Sequence, residues 1–338
     1  MSDSEIKRGT IMDYVRLGRS GLKVSRVCLG TMTFGREADE ATSFKLMDRY
    51  VDVGGNFVDT ADVYSSGGSE EVVGRWLQQR GSRDKVVLAS KVYGVMGPGP
   101  NDGGLSRLHI QRAIEASLTR LQTDVLDIYQ IHRWDPQTPV EETLDALDDL
   151  VRQGKVRYVA CSNLKAWQLS KFLYVAKENH WSRFISIQPV YNAVNRGIES
   201  ELLPLCQEEG FGVVPFHPLA GGMLTGKYKR KEGMQAGTRL EAFKQYYERY
   251  YTEEALSIVD RFVETARERG VTPAQLALAW VLAEPRVTCP IVGARNLEQI
   301  NDTLGGLEVQ LTQEERASIP AVAPGRWVGN DPVYDRKA

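Results

Sequence analysis

The feature that most constrains the fold is an alternation of short apolar runs with longer amphipathic stretches, repeated along the 338-residue chain. Many of the runs are continuously apolar, as expected of parallel strands buried on both faces. They lie at Val24–Leu29, Asn56–Asp59, Val86–Lys91, Val125–His132, Val156–Ser162, Ile185–Tyr191, Gly212–Phe216 and Val287–Val292. Eight strands with helices between them predict an α/β protein built as an eight-stranded (β/α)8 TIM barrel.

The stretches between the runs have helical periodicity and recognisable end signals. Ser69 and Ser106 are placed to cap two of the predicted helices, and Thr272 precedes a proline at the first helical position of a third. The predicted helices are Asp39–Val53, Ser69–Gln79, Arg107–Leu121, Val140–Gln153, Lys165–Glu178, Ile198–Glu208, Thr252–Arg269 and Thr272–Ala283.

The alternation also predicts a single domain, residues 1–338, with a core of about 14–320. A doubly wound dinucleotide fold would place a GxGxxG string after its first strand, and no such string occurs in the chain. No linker rich in Pro, Ser or Gly interrupts the pattern.

Four segments fall outside the repeat. Residues 13–24 predict an N-terminal β-hairpin, and Gly94–Gly104 predict a loop after the third strand. Gly221–Tyr251 form a long insertion after the seventh strand, and a C-terminal tail begins at Leu311 with a helix. Loops that follow barrel strands lie on the face where active sites are found.

Composition excludes several classes of protein. With 42 Lys and Arg against 44 Asp and Glu, the net charge of −2 indicates neither a nucleic-acid partner nor an anionic membrane. No apolar run approaches the ~20 residues that span a bilayer, and the N-terminal MSDSEIKRGT lacks the apolar centre of a signal peptide. A cytoplasmic protein is expected. Nothing in the sequence specifies an oligomeric state.

The four cysteines, Cys28, Cys161, Cys206 and Cys289, are widely spaced and form no CxxC pair. Three of them lie in apolar runs, so we interpret them as small buried hydrophobic residues in a reducing compartment. No metal site is expected.

Four polar residues stand at or just after the ends of the second, third and fourth strands: Asp59, Tyr64, Lys91 and His132. In a barrel these strand ends are neighbours on one rim. A buried Lys91 needs an anion, and Asp59 is the nearest candidate; a cation beside the Tyr64 phenol would favour its phenolate and so make it a better acid. Neutral His132 would orient a carbonyl oxygen. Singly, each has a plain structural reading, but four such residues at consecutive strand ends favour carbonyl reduction by hydride transfer.

The chain resembles the aldo-keto reductase superfamily. The strings GTMTFG, FVDTADVY, LASKV, IHRWD, GKVRYVACSN, PFHPLAGGMLTGKY and PIVGARNLEQI follow the family's order from about residue 14 to residue 310. The branch of channel β-subunits and bacterial long-chain reductases is the most similar. The resemblance implies a (β/α)8 barrel, NADPH bound without a Rossmann unit, and a tetrad formed by Asp59, Tyr64, Lys91 and His132, which we call the predicted tetrad.

The resemblance also implies a set of NADPH/NADP+ contacts. Ser162, Asn163 and Gln188 would hold the nicotinamide carboxamide, while Asp59, Gly30, Thr31 and Met32 would lie beside the nicotinamide and its ribose. A strap over the pyrophosphate would comprise Pro218, Leu219, Gly221, Leu224, Gly226 and Lys227, with Arg239 on the phosphate side. Gly293, Arg295, Gln299 and Asp302 would lie near the 2′-phosphate and adenine, and a helix start with an arginine favours NADP over NAD.

The chain departs from the family pattern at two places. Phe216-His217 stand where the family usually has Tyr-Ser; Phe216 can still stack on nicotinamide, and His217 either contacts the pyrophosphate or fills the serine position. Asp302-Thr303 stand where Glu-Asn is common, which places the adenine contacts in question.

The predicted substrate pocket is lined by Trp134, Tyr93, Val63 and Met32. Tyr246, Tyr247, Tyr250 and Tyr251 of the insertion form either a lid or a helix face packed on the barrel. These residues do not specify which aldehyde or ketone is the substrate.

The function predicted is NADPH-dependent reduction of an aldehyde or ketone with a tyrosine general acid. One alternative is a cofactor-sensing regulatory module, as in channel β-subunits. Against this alternative, the sequence shows no long N-terminal segment of the kind expected to engage a partner. The other is a Schiff-base lyase that uses Lys91.

Overall fold

The computed structural model describes residues 12–228 and 251–326, and their main body is an eight-stranded parallel sheet closed into a barrel. The barrel strands, in their order around the sheet, are β10 (Ile291–Val292), β3 (Cys28–Gly30), β4 (Phe57–Asp59), β5 (Val87–Val92), β6 (Leu126–Ile131), β7 (Val156–Ser162), β8 (Ser186–Gln188) and β9 (Gly212–Val213). Backbone N–H groups of Thr288 and Ile291 donate to the carbonyls of Val213 and Pro215, each at 2.8 Å, and close the barrel between its last two strands. The predicted (β/α)8 fold is confirmed.

Helices separate most of the strands and surround the barrel. Their bounds are α1 Glu40–Asp52, α2 Gly68–Arg80, α3 Arg107–Leu121, α4 Val140–Arg152, α5 Ala166–Glu178, α6 Leu202–Glu209, α7 Glu253–Glu268, α8 Pro273–Leu282, α9 Leu297–Leu304 and α10 Gln313–Ser318. The predicted N-terminal hairpin is present as β1 (Tyr14–Arg16) paired antiparallel with β2 (Lys23–Ser25). The predicted helix in the tail is α10.

The first apolar run does not form one strand. The structure divides Val24–Leu29 between the hairpin strand β2 and the barrel strand β3. The Ser25 hydroxyl donates to the carbonyl of Val27 at 2.8 Å, and the Ser25 N–H donates to Asn56 Oδ1 at 2.7 Å. These bonds turn the chain between the two pairings, so the boundary predicted from apolarity alone was wrong.

Three other predicted strands are shorter in the structure because a proline interrupts them. Pro189, Pro215 and Pro290 have no N–H to donate to a ladder. Accordingly β8 ends at Gln188, β9 ends at Val213 and β10 begins at Ile291.

Helix starts confirm part of the prediction. Ser106 accepts the His109 N–H and Thr272 accepts the Gln275 N–H, as N-caps do. The predicted Ser69 cap was wrong: α2 begins at Gly68 after Gly67, whose φ is 95°. The Ser69 hydroxyl is instead buried in hydrogen bonds with two threonines of neighbouring loops.

The predicted helix Ile198–Glu208 is two elements, a 3₁₀ turn at Gly197–Glu199 and α6. Pro204 explains the break, because proline fits the first turn of a helix, where its missing N–H is not needed, but not the interior.

The apolar core has two layers. The larger lies between the sheet and the helices, and the smaller fills the barrel interior with residues such as Phe57, Ala89 and Ile128. Leu17 and Val24 of the hairpin belong to the inner layer, so the hairpin closes the N-terminal end of the barrel. The four cysteines are buried. Within the described ranges no helix is long and apolar enough to cross a membrane.

Candidate active site

Asp59 and Lys91 form a buried ion pair at the C-terminal rim of the barrel. Asp59 is the last residue of β4, and Lys91 lies in β5, the strand that pairs with β4. Lys91 Nζ is 2.5 Å from Asp59 Oδ1 and donates also to the carbonyl of Thr60 at 2.7 Å, and both side chains of the pair are almost fully buried. Burial alone would lower the pKa of Lys91, but the Asp59 carboxylate and Tyr64 outweigh it and raise that pKa above its usual value. Lys91 is therefore a cation.

Tyr64 is half-buried and meets the same lysine. Lys91 Nζ donates to the Tyr64 hydroxyl at 3.2 Å and lies 4.7 Å from the centre of its ring. Tyr64 opens a 3₁₀ turn in which Ser65 and Ser66 have φ values of 51° and 52°. Few residues other than glycine adopt this left-handed conformation, and the Ser65 hydroxyl holds it by donating to the carbonyl of Phe34 at 2.9 Å. The turn fixes the phenol over the ion pair.

His132 follows β6 and faces Tyr64. The ring centres are 5.9 Å apart with the planes at 78°, an edge-to-face arrangement. Burial, the positive charge of Lys91 and that of Arg133 lower the pKa of His132 to about 3. The imidazole is therefore neutral at physiological pH, as predicted. The structure thus brings the four residues of the predicted tetrad together.

The structure adds a residue that the sequence analysis missed. Gln130, in β6, donates through Nε2 to Asp59 Oδ2 at 2.9 Å, and Gln188 donates to the same oxygen at 2.6 Å. Gln188 Nε2 also lies 3.3 Å from Gln130 Oε1. The available signal was a polar residue inside an otherwise apolar strand, two positions before His132 and hence on the same face of that strand.

Ser162 and Asn163 stand beside Gln188 at the ends of adjacent strands. The Ser162 hydroxyl and the Asn163 N–H both donate to the Gln188 backbone carbonyl, at 2.9 and 3.1 Å. Asn163 has a φ of 56°, and its Nδ2 donates to the carbonyl of His132. Asn163 Oδ1 is buried and has no hydrogen-bond partner among the described residues. A buried acceptor without a protein partner can accept a hydrogen bond from an amide N–H of a ligand, so these residues fit a carboxamide group.

The mouth of β3 is closely packed. A Cβ on Gly30 would fall 2.6 Å from a side-chain carbon of Ile291, so only glycine fits there. The buried Thr31 hydroxyl contacts the Asp59 carbonyl and Ser69, so it is committed to the protein. Met32 is half-buried beside them.

The segment after β9 forms a compact strap whose backbone is bent sharply. His217 and Ala220 have φ values of 60° and 49°, and Gly221, Gly222 and Gly226 have values of 68°, 94° and 74°. Leu219 precedes a 3₁₀ turn that contains Leu224 and ends before Gly226. Lys227 is exposed at its end. Arg239, assigned by resemblance to the phosphate side, lies outside the described residues.

Phe216 and His217 lie where the strap leaves the barrel. Their rings are 4.8 Å apart and nearly perpendicular. The His217 carbonyl accepts from the Ala220 N–H and from Asn192 Nδ2, so its backbone is fixed on two sides. Pro218 follows and is buried.

In the segment before α9, Arg295 stands next to the N-cap residue of the helix. Asn296 caps the helix, and Gln299 Oε1 accepts the Arg295 N–H at 3.0 Å. The Arg295 side chain forms no ion pair within residues 12–228 and 251–326. Gly293 is exposed, and a Cβ there would lie 3.4 Å from the Gly30 carbonyl.

Two positions on α9 are already occupied by protein contacts. Asp302 accepts from the Thr272 hydroxyl at 2.7 Å. Thr303, where the family commonly has Asn, is buried.

The predicted substrate residues surround the rim unevenly. Val63 is exposed and packs against Gly94, while Tyr93 stacks with the Arg133 guanidinium at 5.1 Å. Trp134 packs edge-to-face on Trp167 at 5.4 Å and also meets Phe172 of α5. Trp167 was not predicted, and its side chain is largely exposed. Tyr246, Tyr247 and Tyr250 lie outside the described residues, whereas Tyr251 packs on the core.

A second polar layer lies behind the tetrad. Glu70 of α2 accepts from the Ser90 hydroxyl at 2.5 Å and from Arg120 at 2.7 Å. Asp62 is buried; its Oδ1 accepts the Val63 N–H, and its Oδ2 has no hydrogen-bond partner among the described residues. Burial first and the charge of Glu70 second raise the pKa of Asp62 to about 7.

A cavity of about 690 Å³ lies at the opposite, N-terminal end of the barrel, beside Arg16 and Arg19 of the hairpin. Its floor is an ion-pair network that we call the basal cluster, formed by Arg196, Glu199, Glu284, Arg286 and Arg316. Glu199 accepts from both Arg196 and Arg316, and Glu284 accepts from Arg286 at 2.6 Å and lies 3.3 Å from Arg316. The carboxylates are satisfied by protein contacts, and none of the predicted tetrad lines this cavity.

Comparison with known proteins identifies the class to which this barrel and rim belong. The chain matches the Aldo/keto reductase family over residues 26–324 and is a member of it. Family and relatives support an oxidoreductase that acts on carbonyl compounds.

Three relatives cover nearly the whole chain. The oxidoreductase YrpG of Bacillus subtilis is 41% identical over 324 residues, 93% of this chain and 97% of that protein. Versiconal hemiacetal acetate reductase of Aspergillus parasiticus is 37% identical, over 90% of this chain and 95% of that protein. A probable voltage-gated potassium channel subunit beta of Oryza sativa is 38% identical, over 93% and 98%.

Proposed function

We propose that the protein reduces an aldehyde or ketone to an alcohol with NADPH, and that Tyr64 is the general acid. The observation that carries the proposal is the position of Lys91 Nζ, 2.5 Å from Asp59 and 3.2 Å from the Tyr64 hydroxyl. A fixed cation beside a phenol stabilises the phenolate that remains after proton donation. The chain therefore holds a proton donor at the rim together with the charge that its conjugate base requires.

Each side chain has a separate part in this proposal. Tyr64 gives its hydroxyl proton to the carbonyl oxygen of the substrate. Lys91 stabilises the resulting phenolate, and Asp59 keeps Lys91 charged and in place. Neutral His132 can donate one hydrogen bond to the same oxygen and so orient it, without competing as an acid.

A bound NADPH would supply the hydride for this reaction. Ser162, Asn163 and Gln188 would hold its carboxamide, and Phe216 would stack on the nicotinamide ring. The support is Asn163 Oδ1, which is buried and has no hydrogen-bond partner among the described residues, and the strongly bent glycine strap, where backbone can approach a phosphate closely. Arg295 beside the start of α9, free of ion pairs in the described residues, favours NADPH over NADH.

The test is a fluorescence titration of the purified protein with NADPH and with NADH, followed by turnover on a panel of aldehydes and ketones. Tight NADPH binding and consumption on a carbonyl are the expected result. Absence of NADPH binding would overturn the cofactor assignment and the reaction with it.

A sensor function is the second candidate, because the rice relative carries the name of a channel β-subunit. It predicts NADPH binding that is as tight as for an enzyme, with no turnover across the panel. The titration and the panel together therefore separate the two functions.

A Schiff-base mechanism is disfavoured by the contacts of Lys91. A nucleophilic amine must be neutral, whereas Lys91 donates to three acceptors and its pKa is raised. Borohydride with substrate should therefore fail to trap a covalent adduct.

A further inference from the structure

The two carboxylate oxygens of Asp59 face different partners. Oδ1 accepts from Lys91, on the side of Tyr64. Oδ2 accepts from Gln130 and from Gln188, both of which are buried. One carboxylate therefore joins the proton-donating side of the site to the side where the carboxamide of the cofactor is proposed to bind.

Gln130 makes this junction a closed ring. It donates to Asp59 through Nε2 at 2.9 Å and receives the Gln188 amide N–H on Oε1 at 3.3 Å. Because an ionised carboxylate only accepts hydrogen bonds, both glutamines must turn their NH2 groups toward Asp59. The carbonyl oxygen of Gln188 then points away from Asp59, which leaves it available as an acceptor.

Position in the sheet explains why Gln130 reaches Asp59. Gln130 is the cross-strand partner of Lys91 in the β5–β6 register, so it lies one strand beyond the ion pair. It is 2% exposed, and its neighbours along β6, Tyr129 and Ile131, are fully buried. Burying an amide is unfavourable unless its hydrogen bonds are made. If the side chain at position 130 only had to fill space in the core, an apolar residue would do so without that cost.

We propose that Gln130 is a positioning residue that fixes Asp59 and the Gln188 amide together, and so couples proton donation at Tyr64 to the site of the cofactor carboxamide. The inference rests on the proposed function. Gln130 itself contacts neither the phenol nor the proposed substrate residues through any described hydrogen bond. Its effect on the reaction is exerted through Asp59 and Gln188.

The test replaces Gln130 by methionine, which has nearly the same length and no strong hydrogen-bonding group. We expect kcat to fall by about 10-fold to 100-fold, the range for loss of one hydrogen bond to a charged group. The NADPH dissociation constant should rise by about threefold to tenfold, because the Gln188 amide loses the partner that orients it. The KM for the carbonyl substrate should change less than twofold, since no substrate contact is removed.

The matched control is Gln168→Met. Gln168 is also buried, and its side chain accepts the Lys165 N–H at the start of α5, without contacting the tetrad. This variant should lower the melting temperature while leaving kcat and NADPH affinity within twofold of the wild type. If Gln130→Met behaves in the same way, Gln130 is only a packing residue and the inference is overturned.

A double-mutant cycle tests the coupling directly. The NADPH dissociation constant is measured for Gln130→Met, for Gln188→Met and for the double variant. If Gln130 acts through Gln188, the double variant loses affinity by clearly less than the product of the two single losses. Losses that multiply would refute the coupling.

Two further outcomes keep this inference separate from the proposed function. Should Gln130→Met fail to fold, Gln130→Glu is examined: it keeps an acceptor for Gln188 but places a second carboxylate beside Asp59. Its loss of kcat should be at least as large as that of Gln130→Met, and a wild-type kcat would refute the inference.

If the wild type binds NADPH but turns over no carbonyl, the proposed reaction fails. The double-mutant cycle on NADPH affinity then still decides the role of Gln130.

Discussion

Both ends of the barrel bury charged side chains, but they satisfy them in different ways. In the basal cluster, Glu199 and Glu284 are each met by two arginines, and Arg316 is shared between them. At the C-terminal rim a single lysine meets a single carboxylate, and a phenol at the opening accepts its remaining hydrogen bond.

This difference in how the charges are satisfied separates charges that stabilise the fold from charges proposed to take part in the reaction. Charges that are saturated on every side tie elements together. Through Arg316, the basal cluster joins α10 to Glu199, before α6, and to Glu284, after α8. At the rim, the proposed reaction requires only the Tyr64 proton to move, while the Asp59–Lys91 ion pair stays fixed. The proposed function therefore assigns the basal cluster to stability and the rim to the reaction.

The largest expected effect that would sharpen this comparison is at Tyr64. Tyr64→Phe should lower kcat by about 10²-fold to 10⁴-fold, since it removes the proton donor, while the NADPH dissociation constant stays within threefold. Steady-state kinetics and a fluorescence titration measure the two quantities. The control is Tyr174→Phe on α5, an exposed position. Unchanged turnover in Tyr64→Phe would remove the phenol from the mechanism.

At the other end, Glu199→Gln should destabilise the fold without altering catalysis. Removing one partner of a buried ion pair leaves charges uncompensated and costs about 3 kcal/mol in the free energy of unfolding. Denaturant unfolding measures this loss, and kcat should stay within twofold. Glu209→Gln, in an exposed pair with Arg183, is the control, with an expected loss below about 1 kcal/mol. A fall in kcat for Glu199→Gln would mean that the two ends are coupled.

Arg295 tests whether a half-buried arginine at the C-terminal face serves a ligand. Arg295→Ala should weaken NADPH binding by about 1.5–3 kcal/mol, the size of a charged hydrogen bond to a phosphate. NADH lacks that phosphate, so its affinity should change little; both are measured by fluorescence titration. Arg112→Ala, on the exposed face of α3, is the control. Equal losses for the two cofactors would show that Arg295 does not contact the 2′-phosphate.

The smallest expected effect is a difference in pH dependence between the two ends. Asp62 keeps its proton in the folded state up to about pH 7, against an ordinary pKa of 3.8. Between those values the folded state binds more protons than the unfolded state, so the contribution of Asp62 to stability is full below pH 4 and is lost as pH rises through 7. Asp62→Asn should therefore flatten the fall in unfolding free energy between pH 5 and pH 8, by about 1–2 kcal/mol.

Glu199 should show the opposite sign. Burial would raise the pKa of Glu199, but hydrogen bonds from Arg196 and Tyr191 outweigh it and lower that pKa. Its stabilisation is present above its ordinary pKa and is lost as pH falls through the lowered value. Glu199→Gln should flatten the acid side of the stability curve, below about pH 4.5. Urea unfolding at a series of pH values measures how each variant changes the pH dependence of the unfolding free energy. If the contributions of Asp62 and Glu199 were both lost in the same pH direction, the comparison would be contradicted.

Much of this architecture could be predicted from the sequence. Continuous apolar runs between helical stretches indicated a parallel barrel, and the positions of Asp59, Lys91 and His132 at strand ends placed them on one rim, because parallel strands end at the same edge. The predicted strand ends and helix cap were wrong where a local feature outweighs the apolar pattern. Pro189, Pro215 and Pro290 shorten the strands, and Ser69 faces a buried threonine pair instead of capping α2.

What the sequence determined by itself is the order of strands and helices and the identity of the polar residues at their ends, since both follow from local patterns of side chains. Only the tertiary structure decided which of those residues meet. Gln130 and Gln188 lie 71 and 129 positions from Asp59, and both reach the same carboxylate oxygen. Hydrogen bonds between separate strands depend on register and side-chain direction around the closed barrel, which no short stretch of sequence specifies.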